Sequence, residues 1–204
     1  LFYVSAEEMD PGGPSKLYDV CALPNDTYYC LDFTRGRIFG YDFQGNLLYA
    51  FGGRGYREGY FINPVALEDL GDTLLVLDSS QGAITQFSMT TYGSLISQGL
   101  AEYKIGDYDA SAKTWEKVRR MNGNYDLAYI GIGRALLRTE RYGEAMEYFK
   151  LKLDGVNYSK AFKFYRKEWM EDNIVYVVII IIAITLLLYG RGWYKRAKKE
   201  VSEG

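Results

Sequence analysis

The sequence predicts a multidomain β + α chain, and three observations carry that prediction. Residues 28–42 and 74–88 repeat a strand–turn–strand pattern at an offset of 46. Residues 94–157 repeat a helix–turn–helix pattern at an offset of 34, and Asn173 to Gly190 is a run without a charge. A run of strands followed by a run of helices implies separate β and α modules.

The charge pattern supports the division. Residues 1–93 hold 5 basic and 12 acidic side chains, whereas residues 94–204 hold 19 and 14. The basic residues of the second part alternate with acids, so no nucleic-acid-binding surface is expected. The absence of histidine removes the commonest general base and the commonest zinc ligand. Cys21 and Cys30 are too few for a disulfide scaffold or a thiolate metal site, and no cofactor is implied. The opening LFYVSAEE (1–8) has no basic segment before an apolar one, so the chain reads as a fragment missing its start.

The first element is a β module over 1–93. In YYCLDFTRGRIFGYD (28–42) and LLVLDSSQGAITQFS (74–88), Leu31, Asp32, Gly36 and Ile38 recur as Leu77, Asp78, Gly82 and Ile84. Upstream, Ala22 and Leu23 recur as Ala66 and Leu67, at an offset of 44. Each unit reads as an apolar strand, an Asp-led turn with Gly, and an alternating strand, with a further run NLLYAFGG (46–53) in the first. Cys21 and Cys30 align with Val65 and Val76, which favours core packing over a disulfide. Asp32 and Asp78 recur at equivalent turns, which favours a structural role over a catalytic or calcium-binding one.

LDFTRGRIFGYDFQGNLLYAFGGRG, NPVALE and LLVLDSSQGAITQF resemble NHL-repeat β-propellers, and the resemblance implies about two partial blades. A closed propeller needs about 4–8 blades, so the rest would come from missing sequence or from other chains. Arg54 and Arg57, in the loop GGRGYREGY (52–60), are the leading candidates for binding a partner or an anionic ligand here.

The second element is helical. Gly99, Tyr108 and Trp115 recur as Gly133, Tyr142 and Phe149, with the small residues Ser111 and Ala145 at the matching position. SLISQGLAEYKI (94–105) and LAYIGIGRALLR (127–138) read as first helices, GDYDASAKTWEKV (106–118) and ERYGEAMEYFKLKL (140–153) as second ones. The 34-residue period resembles the tetratricopeptide repeat, with units at about 94–125 and 126–157. That resemblance implies a groove for a protein partner, with Arg119, Arg120, Arg134 and Arg138 as candidate contacts. In 158–172, Tyr158, Ala161, Phe162, Tyr165 and Trp169 share one helical face and are expected to cap the last unit.

The third element is the uncharged run 173–190, which predicts a transmembrane helix flanked by Trp169, Tyr189, Trp193 and Tyr194 as interfacial aromatics. Five Lys and Arg residues follow the run within 191–199 and four precede it within 160–167. The excess predicts a cytoplasmic tail at 191–204 and extracytoplasmic N-terminal domains in the cell membrane. The order of modules, together with TRGRIFGYDFQGNLLYAFGG, NYDLAYIGIGRALLR and NYSKAFKFYRKE, resembles a bacterial family that ends in a Yip-type multi-helix membrane domain. The resemblance implies an association with carbohydrate uptake.

These readings converge on a non-enzymatic scaffold with a protein partner and a bilayer as its surroundings. Two alternatives stay open: a fragment of a propeller hydrolase or lyase whose site lies in missing blades, and a membrane-organising component of a transporter.

Overall fold

The computed structural model describes residues 14–23, 26–71 and 73–203, with side chains through Trp193. The reading of LFYVSAEE and the side chain of Tyr194 lie outside the described residues. Two antiparallel sheets are followed by five helices. The first sheet is a meander of β1 (Leu17–Ala22), β2 (Thr27–Asp32), β3 (Arg37–Asp42) and β4 (Leu47–Gly52). The second is a meander of β5 (Pro64–Asp69), β6 (Thr73–Asp78) and β7 (Ala83–Ser88).

The offset of 46 is realised residue for residue in the two hairpins. Asp32 pairs with Arg37 and Leu31 with Ile38; Asp78 pairs with Ala83 and Leu77 with Ile84. Gly36 and Gly82 hold the left-handed turn conformation at φ +62° and +59°, which a side chain would disfavour. Alternation along each strand then builds one core between the sheets. Cys21, Tyr29, Leu31 and Ile38 of the first sheet pack with Phe61, Leu67, Leu74 and Val76 around the second. Asp19 ties the layers together by accepting the Leu67 N–H at 2.7 Å.

Both cysteines are buried and unbonded, as packing requires. Cys21 pairs with Tyr29, and Cys30 with Val20. Adjacent pairs face opposite sides of a sheet, so the thiols point away from each other.

The sheets differ in strand number. The offset of 46 places the counterpart of β4 at 93–98, but there the chain is already helical. Thr90 caps that helix, its Oγ1 accepting the Gly93 N–H at 3.2 Å.

The helices are α1 (Thr91–Lys104), α2 (Tyr108–Met121), α3 (Asp126–Arg138), α4 (Tyr142–Leu151) and α5 (Gly155–Glu203). They fit the 34-residue units closely, with α1 starting three residues before the expected 94. Consecutive helices pack on one another, and the small residues explain how. A Cβ on Gly99 would come within 3.0 Å of the Trp115 ring, and one on Gly133 within 2.6 Å of Phe149. Ser111 and Ala145 are fully buried, and the Ser111 hydroxyl donates to the Gly99 carbonyl at 2.8 Å. Each aromatic ring thus fills a space that only glycine leaves open.

The expected cap and membrane helix are one unbroken helix of 49 residues, about 70 Å long. The expected cap face is corrected by the structure. Ala161 is buried and Tyr158 packs on the helical core, but Phe162, Tyr165 and Trp169 are exposed. Phe164 instead stacks on Tyr142 at 5.5 Å. Reach accounts for Trp169: α4 has only 10 residues, about 15 Å, so α5 outruns its neighbour soon after Phe164, whereas Phe162 lies alongside α4 and is exposed by its direction. Within Gly155–Trp193 lies one stretch apolar enough to cross a membrane, with mean hydropathy 2.5 and none of it buried.

Candidate protein-interaction surface

The repeated aspartates are turn anchors. Asp32 Oδ1 accepts the N–H groups of Lys16, Thr34 and Arg35 at 3.2, 2.9 and 3.4 Å. Asp78 accepts those of Ile62, Ser80 and Gln81 at 2.6, 2.9 and 3.1 Å, and of Asn63 at 3.1 Å. Burial pushes both carboxyls up, but the hydrogen bonds outweigh it and hold both below the usual carboxylate range. The second oxygen of Asp32 faces the Arg35 guanidinium at 3.4 Å. Among the described residues, no group of three or more His, Cys, Asp or Glu side chains is placed to hold a metal ion.

The six candidate arginines occupy three separate places. Arg54 reaches back to the first Asp turn, donating to the carbonyls of Phe33 and Thr34 at 3.4 and 3.0 Å. Arg57 is exposed in the same loop, where its carbonyl accepts the Tyr60 N–H at 2.9 Å. Arg119 and Arg120 share Glu116: Arg119 forms a fork at 2.6 and 2.7 Å, and Arg120 adds a bond at 3.2 Å. Hydrogen bonding to Glu116 pushes the Arg119 guanidinium up and Glu116 down. Arg119 also lies 5.7 Å from the centre of the Tyr129 ring. Both α2 arginines are therefore committed to an acid one turn away on their own helix.

Arg134 and Arg138 lie on α3 and point elsewhere. Arg134 donates to Gln44 Oε1 in the β3–β4 turn at 2.7 Å. Arg138 donates to the Tyr103 hydroxyl at 3.2 Å and stands 6.0 Å from the Tyr108 ring. Lys104, 34 residues before Arg138, forms an ion pair with Asp26 in the β1–β2 turn. The repeat offset makes Lys104 the counterpart of Arg138, and that arithmetic was the signal for a residue sequence reading overlooked. Lys104 and Arg134 thus reach turns of the first sheet, whereas Arg138 stays among the helices.

Behind the polar contacts lies an aromatic joint. The Tyr125 hydroxyl donates to the Leu48 carbonyl at 2.7 Å, and Leu48 is buried among Ile96, Trp115 and Ile132. Tyr92 and Tyr125 meet edge to face at 5.8 Å. The hydroxyls of Tyr29 and Tyr49 hydrogen-bond at 3.0 Å beneath the joint. Burial pushes the Tyr49 and Tyr125 phenols far up, so both stay protonated donors at any ordinary pH. A second overlooked residue is Lys152, which pairs with Asp126 at 2.8 Å and lies 4.3 Å from the Tyr129 ring. It joins α4 to α3, and no spacing rule pointed to it.

The aromatic residues expected at a membrane boundary are on α5. Trp169 is exposed at one end of the apolar stretch, and Tyr189 and Trp193 are exposed at the other. They have no core to enter.

No curated protein matches the chain. Residues 96–159 match the family model described as tetratricopeptide repeat. The match runs from the second turn of α1 into the start of α5 and includes both glycine–aromatic pairs. The helical part of the chain therefore carries a tetratricopeptide-like repeat, an architecture that serves protein–protein interaction.

Proposed function

We propose that this chain is a non-enzymatic, membrane-tethered scaffold that presents its helical repeats to a protein partner. One observation carries the reading: the repeat match ends inside α5, and α5 runs unbroken from Gly155 through the uncharged 173–190 segment, of whose apolar stretch nothing is buried. Repeats of this kind bind polypeptides, and an exposed apolar helix of this length is stable in lipid rather than in water. Because α5 is continuous from the repeat core to its far end, the tether would also fix the height and angle of the repeats above the bilayer.

The finer parts of the proposal rest on the sequence resemblance. The two sheets are read as NHL-type propeller blades, supported by the equivalent hairpins and turn glycines. The N-terminal domains are placed outside the cell membrane, with the C-terminus cytoplasmic. A role beside a carbohydrate uptake system extends the same resemblance.

The test uses the full chain in cells with a photocrosslinking side chain at position 138, on the exposed end of α3. A discrete protein adduct supports the scaffold. Adducts to lipid alone, or turnover of a small molecule abolished by a single carboxylate change, would end it.

A further inference from the structure

The two sheets are built on one repeat, yet the first has four strands and the second three. In the first sheet β3 is covered on its outer edge by β4, with Arg37 opposite Gly52, Ile38 opposite Phe51 and Phe39 opposite Ala50. The equivalent strand β7 has β6 on one side and no strand on the other among the described residues. The strands β1 and β5 are edges in both sheets, so β7 is the one position where the repeats disagree.

Side chains and turns record the same vacancy. Ile38 stands opposite Phe51 of β4, whereas its counterpart Ile84 is 65% exposed and has no cross-strand neighbour on that side among the described residues. A Cβ on Gly36 would meet the Gly53 carbonyl oxygen at 2.6 Å, because the end of β4 lies against that turn. Gly82 has the same backbone conformation and nothing within 4 Å of its Cβ position. The β7 sequence AITQFS contains no charge and no proline. Edge strands that stay free are usually protected by lysine, proline or a bulge, and β7 has none of these.

We infer that β7 is a strand-addition site, which takes an extended segment of a partner polypeptide antiparallel to it. The first sheet defines the occupant: an apolar strand patterned like Leu47–Phe51, ending in two small residues that lie against Gly82. Backbone N–H and C=O groups of β7 would supply the binding, and the occupant would set an apolar side chain opposite Ile84 as Phe51 stands opposite Ile38. The inference rests on the sheets alone and stands whether or not α5 crosses a membrane.

The probe is a synthetic peptide of the β4 sequence, NLLYAFGG, with lysines appended for solubility, titrated onto the full chain in detergent micelles. Two further peptides are N-methylated on alternate residues, one set each. A strand added to β7 bonds through one edge only, so one methylated set should bind at least about 10-fold more weakly while the other binds like the parent. Exchange of the β7 amides that do not bond to β6 should slow at least about 10-fold in the complex. Ile84→Lys should weaken the peptide about 10-fold without moving the urea midpoint. The inference is overturned if both methylated sets bind alike or if the parent fails to bind. It is equally overturned if the β7 amides that do not bond to β6 are already protected in the free chain, or if the chain dimerises through β7 in a way the peptide does not disrupt.

Discussion

Asp32 and Asp78 accept backbone N–H groups at the same three offsets: 16 residues upstream, two downstream and three downstream. The shared pattern identifies both as the pins that close an incoming segment onto a hairpin turn.

Replacing Asp78 by Ala leaves the N–H groups of Ile62, Asn63, Ser80 and Gln81 without their acceptor. We expect a loss of about 2–4 kcal/mol, measured by urea unfolding of the full chain, with Asp78→Asn at the low end because one oxygen remains. A variant as stable as the parent would contradict the pinning role.

The same carboxylates set the acid limit of the β module. Their folded-state pKa values lie below the unfolded ones, so folding favours the ionised form. That contribution is complete above about pH 4 and is lost as pH falls through the lowered values. Acid titration followed by β-sheet circular dichroism should show a transition that moves upward in pH for Asp32→Asn.

The glycine–aromatic pairs give a graded test of helix packing. Gly133→Ala drives a methyl against the fully buried Phe149, and Gly99→Ala presses less closely on Trp115. We expect Gly133→Ala to cost about 1–3 kcal/mol and Gly99→Ala less. Gly123→Ala, with nothing within 4 Å, should be neutral. Thermal melts of the three variants would decide the order.

The sheet–helix joint should draw its strength from its aromatic part. Arg134→Ala removes an exposed bond to Gln44 and should cost no more than about 1 kcal/mol. Tyr125→Phe removes the part-buried bond to the Leu48 carbonyl and should cost about 1–2 kcal/mol. Hydrogen exchange at β4 should accelerate in the tyrosine variant and remain near the parent rate in the arginine variant.

Burial pushes both cysteine thiols up, which lowers their thiolate fraction at neutral pH. Thiol reagents should label Cys21 and Cys30 slowly in the folded chain and quickly in denaturant. Cys30→Val should fold normally, since Val76 already fills the equivalent buried position.

Local pattern by itself determined the strands, the helices and their equivalences. A period of 34 with Gly, a small residue and an aromatic at fixed places describes two helices that touch, because only that combination lets a ring fill the gap. The Asp–Gly turns were equally legible, since a left-handed glycine and an acceptor side chain are local requirements. Periodicity could not reveal where each arginine points, because a guanidinium goes to whichever acceptor the fold brings near: Glu116 on the same helix, or Gln44 across the joint. Nor could it predict that α5 would outrun α4, which depends on where a neighbouring helix stops. The missing fourth strand of the second sheet was likewise a tertiary fact. Both repeats carry the same hairpin, but among the described residues no strand takes at β7 the place that β4 takes at β3, because the chain enters α1 where the strand would have been.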